Sequence, residues 1–350
     1  MNVSKLEMEK AREIHAKAIV INALESSHAE RGEFNEKYAS TLKDAGVTVS
    51  NVTVPYPIEV FLRDAINSVA LWYSTLNKIG QDKCVLATSA DDIRKAKRDG
   101  KVAIIFGTQN VKHIEDDTQM LGVFHKLGVR ICQLTYQTRN SVGNGCGERA
   151  DSGLSMFGVR VVEELNRIGS VISLSHVGPK TSMDAIETSK DPVIFSHSNA
   201  HALCDNIRNI SDEHIKATAE KGGVIGINIL NQCLNTKKAT DAVGLEDYLN
   251  HIDYIVKLVG VKHVGLGLDF RDYLFSKEEV ERFKRLYPEL VPKGLKEGVH
   301  GSKSWNPWFD SMLKTPVITE GLVSRGYSDS DIVKILGGNF LGLFERVWKD

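Results

Sequence analysis

Cysteine is scarce in this sequence. The five present, Cys84, Cys132, Cys146, Cys204 and Cys233, are scattered over 350 residues without a CxxC pair. Neither a disulfide framework nor a cysteine-based zinc site is expected from them. An excess of one charge is also missing. Lys and Arg number 44 against 45 Asp and Glu, for a formal net charge of -1. No field of either sign points to nucleic acid or to an anionic membrane. No apolar run is long enough to span a bilayer. The start, Met1-Asn2-Val3-Ser4-Lys5-Leu6-Glu7, is too polar for a secretory signal. The expectation is a cytoplasmic protein that acts on a small molecule.

The chain does hold regularly spaced β-prone runs. Eight of them fall at about 18–23, 47–54, 102–107, 129–134, 171–175, 193–197, 223–229 and 263–268. Helical patterns fill most of the intervals, one opened by the N-cap sequence Ser89-Ala90-Asp91-Asp92. The runs are apolar throughout rather than alternating, as in a parallel sheet covered on both faces. Eight βα units predict a TIM (β/α)8 barrel. An open doubly wound sheet is the competing fold, but no G-x-G-x-x-G follows the first run. One domain is expected over 1–350. It carries a long insertion at about 271–308 after the eighth strand and closes with C-terminal helices at 309–348. The insertion, with Tyr273, Phe275, Tyr287, His300, Trp305 and Trp308, reads as a lid or a subunit contact.

Two of the strands end alike. Val171-Ile172-Ser173-Leu174-Ser175-His176 and Val193-Ile194-Phe195-Ser196-His197 both stop on Ser-His. As neighbours in a parallel barrel they bring two imidazoles to the carboxyl edge, where such folds place their chemistry. Imidazole serves there as a metal ligand or as an acid/base group. Other strand ends offer Glu25, Gln109, Tyr136, Asn140 and Asp269. Asp269 is placed to act as a general base or to bind a metal. Arg208 suits a carboxylate or phosphate, unless Asp205 or Asp212 pairs with it. The loop 135–155 is long, with Gly143, Gly145, Gly147 and Gly153, and loops of that length in compact domains are usually functional or disordered. Cys146 lacks an identifiable base beside it and reads as structural.

Taken together these residues resemble the membrane dipeptidase (renal dipeptidase, peptidase M19) family, whose barrel is amidohydrolase-like. The similarity rests on Leu174-Ser175-His176-Val177-Gly178, Phe195-Ser196-His197-Ser198-Asn199-Ala200, Arg208-Asn209, Gly265-Leu266-Gly267-Leu268-Asp269-Phe270 and Gly337-Gly338-Asn339-Phe340. It implies a metallopeptidase with a two-zinc site. A His-x-Asp pair on the first strand and a bridging Glu on the third hold one zinc. That Glu and the histidines of strands five and six hold the other. It also implies an Asp that activates water, an Arg that binds a dipeptide carboxylate, a histidine after strand four that assists the carbonyl, and a homodimer. The sequence departs from the pattern. Ala23-Leu24-Glu25 stands at the His-x-Asp position, Gln109 at the bridging Glu and Tyr136 at the strand-four histidine. The resemblance then implies at most one zinc, held by His176, His197 and Glu25 or Asp269, with a metal-free site as the alternative. The expected activity is hydrolysis of a small amide or dipeptide-like substrate bearing a carboxylate. Asp269 and Tyr136 are its catalytic candidates, and Arg208, Asn140 and Gln109 bind substrate. A non-hydrolytic isomerase or lyase on the same barrel is the alternative, followed by a silent binding protein.

Overall fold

The computed structural model describes residues 4–55, 61–270, 277–286 and 307–349. Nine strands run in chain order: β1 (Ile21–Glu25), β2 (Val49–Thr53), β3 (Cys84–Leu86), β4 (Val102–Thr108), β5 (Val129–Gln133), β6 (Val171–Ser173), β7 (Ile194–Phe195), β8 (Val224–Ile227) and β9 (Val264–Leu266). The sheet order is β2-β1-β9-β8-β7-β6-β5-β4-β3, and β2 also pairs with β4. That last pairing closes eight parallel strands into a barrel and rules out the open sheet. The ninth strand, β3, is a finding beyond the sequence reading. It hangs outside the barrel on β4, through Cys84↔Val102 to Leu86↔Ile104. Three residues are too few to show a strand's periodicity.

Alternate residues of each strand face the barrel interior. At its amino end these are apolar and fully buried: Ile21, Val49, Ala103, Ile131, Val171 and Val224. The interior turns polar toward the carboxyl end, with Asn51, Gln133, Ser173 and Ser196 all buried. A larger apolar cluster lies between barrel and helices. Trp72, on the helix Leu62–Ile79, packs there against Phe34 and Phe106 at ring distances of 5.0 and 6.0 Å.

The amino end of the barrel is closed by the chain's last segment. Where two long helices are expected, the structure has Thr315–Ser324, Asp329–Val333, a π-helical turn Lys334–Gly338 and the helix Asn339–Val347. Asn339 fixes this plug by donating to the carbonyls of Val261 and Val264, each at 2.7 Å. Phe340 then packs into the barrel floor, so close that a Cβ on Gly265 would stand 2.4 Å from its ring. A Phe340→Ala change is expected to lower unfolding free energy by about 3–5 kcal/mol, because rigid strands cannot collapse into the space left. Urea unfolding measures this; a loss under about 1 kcal/mol would show that the floor does not depend on the ring.

Of the insertion, the helix Lys277–Leu286 is described. Tyr273, Phe275, Tyr287, His300 and Trp305 lie outside the described residues. Trp308 packs against Tyr248 at 5.6 Å and Phe309 at 5.4 Å. Among the described residues no helix is long and apolar enough to cross a membrane.

Candidate functional site

The two Ser-His ends lie side by side, just beyond β6 and β7, and hydroxyls zip them together. Ser173 Oγ meets Ser196 Oγ at 2.8 Å, Ser175 Oγ meets Ser198 Oγ at 3.2 Å, and His197 N donates to Ser175 Oγ at 2.9 Å. This register brings His176 Nε2 to 2.9 Å from His197 Nε2. The Tyr136 ring stacks on His176 at 4.1 Å, inclined by 27°.

A residue not singled out in the sequence fixes the pair. Gln137 Oε1 accepts from His176 Nδ1 at 2.9 Å and from Cys146 Sγ at 2.8 Å. An amide oxygen only accepts, so His176 carries its proton on Nδ1 and its Nε2 is the acceptor in the pair. His197 then donates through Nε2, and its Nδ1 accepts from Ser196 Oγ at 2.8 Å. The glycine-rich loop clamps this arrangement. Cys146 N donates to His176 O at 2.8 Å and Gly147 N to Gln137 O at 2.8 Å. Gly145 permits the approach: a Cβ there would stand 2.2 Å from the Gln137 carbonyl carbon.

Strain collects at the same place. Five non-glycine residues among those described have positive φ, and three are Gln137 (59°), His176 (65°) and Asp269 (49°). Such backbone costs about 1–3 kcal/mol per residue and persists where surrounding structure enforces it, commonly at functional sites.

Arg208 is 4% exposed. Its Nη2 donates to His197 O at 3.3 Å, and no acidic side chain among the described residues pairs with it. The two acids nearby in sequence are engaged elsewhere, Asp205 with His201 at 3.0 Å and Asp212 with the Tyr254 hydroxyl. Arg208 and His176 line one cavity of about 360 Å³, together with Ser198 and Cys146.

Asp269, three residues past β9, is buried and accepts from Ser26 Oγ at 2.5 Å. Glu25 lies near it at the end of β1, fully buried. Its Oε1 accepts from Ser27 N at 3.0 Å and its Oε2 from Asn22 Nδ2 at 3.3 Å. Burial, reinforced by the Asp269 charge, pushes the Glu25 carboxyl up to about 7. Between its ordinary value and 7 the folded state holds the proton more tightly than the unfolded state, so this group makes stability fall as pH rises through that window. Glu25→Gln is expected to raise stability at pH 8 by about 2–4 kcal/mol and to flatten the decline between pH 5 and 7. Chemical unfolding across that range tests it; an unchanged pH slope would show that Glu25 is not the titrating group.

The other two candidates, Gln109 and Asn140, make hydrogen bonds within the chain. Gln109, just after β4, donates through Nε2 to Thr53 Oγ1 at 2.7 Å and accepts Gln133 Nε2 at its carbonyl at 2.6 Å. Asn140 braces the glycine-rich loop, donating to Asn110 Oδ1 at 2.9 Å and Leu134 O at 2.8 Å and accepting from Val142 N at 2.8 Å. Both were expected to bind substrate; in the structure Gln109 Nε2 and both ends of the Asn140 amide also have partners within the chain.

The metal set expected from the resemblance is not gathered. Among the described residues no three His, Cys, Asp or Glu side chains are grouped to hold an ion. Glu25 is tied to Ser27 and Asn22 and does not join His176 and His197 as a third donor. Zinc sites normally take three protein ligands. The donors therefore do not fit a two-zinc centre; they leave two imidazoles for at most one ion.

Comparison with known proteins agrees with this architecture. Residues 61–306 match the sequence model of the membrane dipeptidase family, peptidase family M19. The match begins after β2, so the altered residues Ala23, Leu24 and Glu25 precede it. The solved structure of an amidohydrolase from Pseudomonas aeruginosa is 33% identical, superposes with a TM-score of 0.85, and covers 97% of this chain and 99% of its own. An uncharacterised dipeptidase of Schizosaccharomyces pombe is 31% identical over 66% of this chain. The dipeptidase aclJ of Aspergillus oryzae is 28% identical over 89% of it. The aligned regions span 56% and 67% of those fungal relatives' own lengths.

Proposed function

The chain belongs to the membrane dipeptidase family, peptidase family M19, and from that membership and the site's geometry we propose that it hydrolyses the amide bond of a small dipeptide-like substrate ending in a carboxylate. The observation that carries the reading is Arg208. A buried guanidinium on the wall of a cavity, with a single carbonyl partner and no paired acidic side chain among the described residues, calls for an anion from outside the protein.

In this reading Arg208 binds the substrate carboxylate and so places the neighbouring amide against the imidazole pair. His197 turns its Nε2–H from His176 Nε2 to the carbonyl oxygen as charge develops on it. Asp269 takes a proton from the attacking water and returns it to the leaving nitrogen. Tyr136 and Gln137 hold the His176 ring from its face and its Nδ1 edge. The family implies zinc, and His176 and His197 are the side chains left to hold it; none of the roles above passes through an ion.

Two measurements on the purified protein test this. Dipeptides with a free carboxylate are expected to be cleaved, and their C-terminal amides at least about 100-fold more slowly, since Arg208 loses a charged partner. Elemental analysis is expected to find no more than one equivalent of zinc, removed by the His176→Ala/His197→Ala change. Equal cleavage of acids and amides would overturn the substrate reading, and two equivalents of zinc would overturn the reading of the donors.

A further inference from the structure

The cavity at Arg208, of about 360 Å³, is larger than a carboxylate requires, and its walls differ in chemistry. One end is polar, with His176, Arg208 and Ser198. Leu174, Val177, Pro179, Ile207 and Ile210 form an apolar stretch of the remaining wall, and Ser182, His201, Asn209, Ser211, Glu213 and His214 complete it. Leu174, Val177 and Ile210 are buried, whereas Ile207 is 44% exposed and stands toward solvent. The strand-end residue Leu174 and the segment Ile207–Ile210 hold this wall rigidly: Leu174 N donates to Ile194 O at 2.8 Å and Ile210 N to Asn199 O at 2.9 Å. A cavity of about 360 Å³ is at the small end of the range for ligand sites, where apolar walls carry affinity and a few polar groups set orientation.

We infer that this wall is a specificity surface for an apolar side chain, leucine- or methionine-sized, on the carboxylate-bearing residue of the substrate. The inference rests on the proposed use of Arg208 as the carboxylate anchor. A substrate anchored there, with its amide at His176, has its α-carbon between two polar groups already engaged. The side chain on that carbon is left the apolar wall. A glycyl residue would leave the wall wetted. An aspartyl residue would bring a second carboxylate against carbon and toward Glu213, while the two histidines of the lining are already engaged, His201 by Asp205 and His214 by Ser211 and the Pro179 carbonyl.

Binding to the full chain tests the inference without requiring turnover. Titration calorimetry with N-acetylglycine, N-acetyl-leucine and N-acetyl-aspartate is expected to rank the leucyl compound at least about tenfold tighter than the glycyl one, with the aspartyl compound weakest. Ile207→Asp, at a half-exposed position that tolerates a polar group, is expected to cut the leucyl-to-glycyl ratio below about threefold. Hydrolysis of Ala-Leu and Ala-Gly is followed in parallel. The expected ranking together with hydrolysis supports both readings. The same ranking without hydrolysis supports the pocket and overturns the hydrolase. Equal binding of leucyl and glycyl compounds overturns the pocket, and hydrolysis decides the other reading separately. Binding of none of the three overturns the pocket and its carboxylate anchor together.

Discussion

Arg208→Leu is expected to raise KM for a carboxylate-bearing substrate by about 100- to 1000-fold while leaving the melting temperature unchanged or higher. The two halves of this result come from one fact. In the free protein the guanidinium is 4% exposed and, among the described residues, has one carbonyl partner and no paired acid. A buried charge left without a counter-charge works against folding, and apolar residues of similar volume in such places are often neutral or stabilising. When a substrate carboxylate arrives, the same guanidinium gains its missing partner; removing one member of a buried charge pair typically costs 2–5 kcal/mol of binding. Arg325 offers the contrast. It is gripped by Glu246 and Asp253 and is an ordinary structural arginine, partly exposed. Steady-state kinetics and a thermal melt of Arg208→Leu, side by side, decide the matter. Retained activity with a lowered melting temperature would mean that Arg208 serves the fold and not the substrate.

The barrel was legible because its signals are local and repeated. Eight apolar runs, spaced by helical intervals, leave few topologies open, and the strand-end histidines follow from the runs that carry them. What stayed hidden depends on contacts between distant segments. β3 is three residues long and pairs with Val102–Ile104, the half of the β4 edge that β5, paired at Phe106–Thr108, leaves open. Gln137 shows no periodicity and no motif; its importance lies in a positive φ and in Gly145, eight residues on, lying against its carbonyl. Asn140 and Gln109 look like substrate ligands on paper because both are polar and stand near strand ends. Only the folded chain shows that these side chains also hold Asn110, Leu134 and Thr53. The Arg208 alternative, pairing with Asp205 or Asp212, was equally undecidable from sequence. Tyr254 and His201, which engage those acids, come from other positions.

Asp269→Asn is expected to lower kcat by about 100- to 10,000-fold, the usual contribution of a positioned general base, with KM changed by less than about threefold. The substitution isolates the carboxylate with little else disturbed. Asn tolerates the left-handed backbone that Asp269 adopts at φ 49°. Its side-chain oxygen can still accept from Ser26 Oγ, and its N–H keeps the bond to Leu24 O at 3.1 Å. What disappears is the negative charge and the capacity to take a proton. The same loss has a second consequence at Glu25. Part of what drives the Glu25 carboxyl up to about 7 is repulsion from Asp269, the larger part being burial. Asp269→Asn is therefore expected to move the Glu25 titration downward while leaving it above the ordinary carboxylate range, as carbon-detected NMR of the labelled side chain would show. A fall in kcat with no movement at Glu25 would separate the two carboxylates. Movement at Glu25 with kcat intact would place the proton acceptor for the water elsewhere in the barrel mouth.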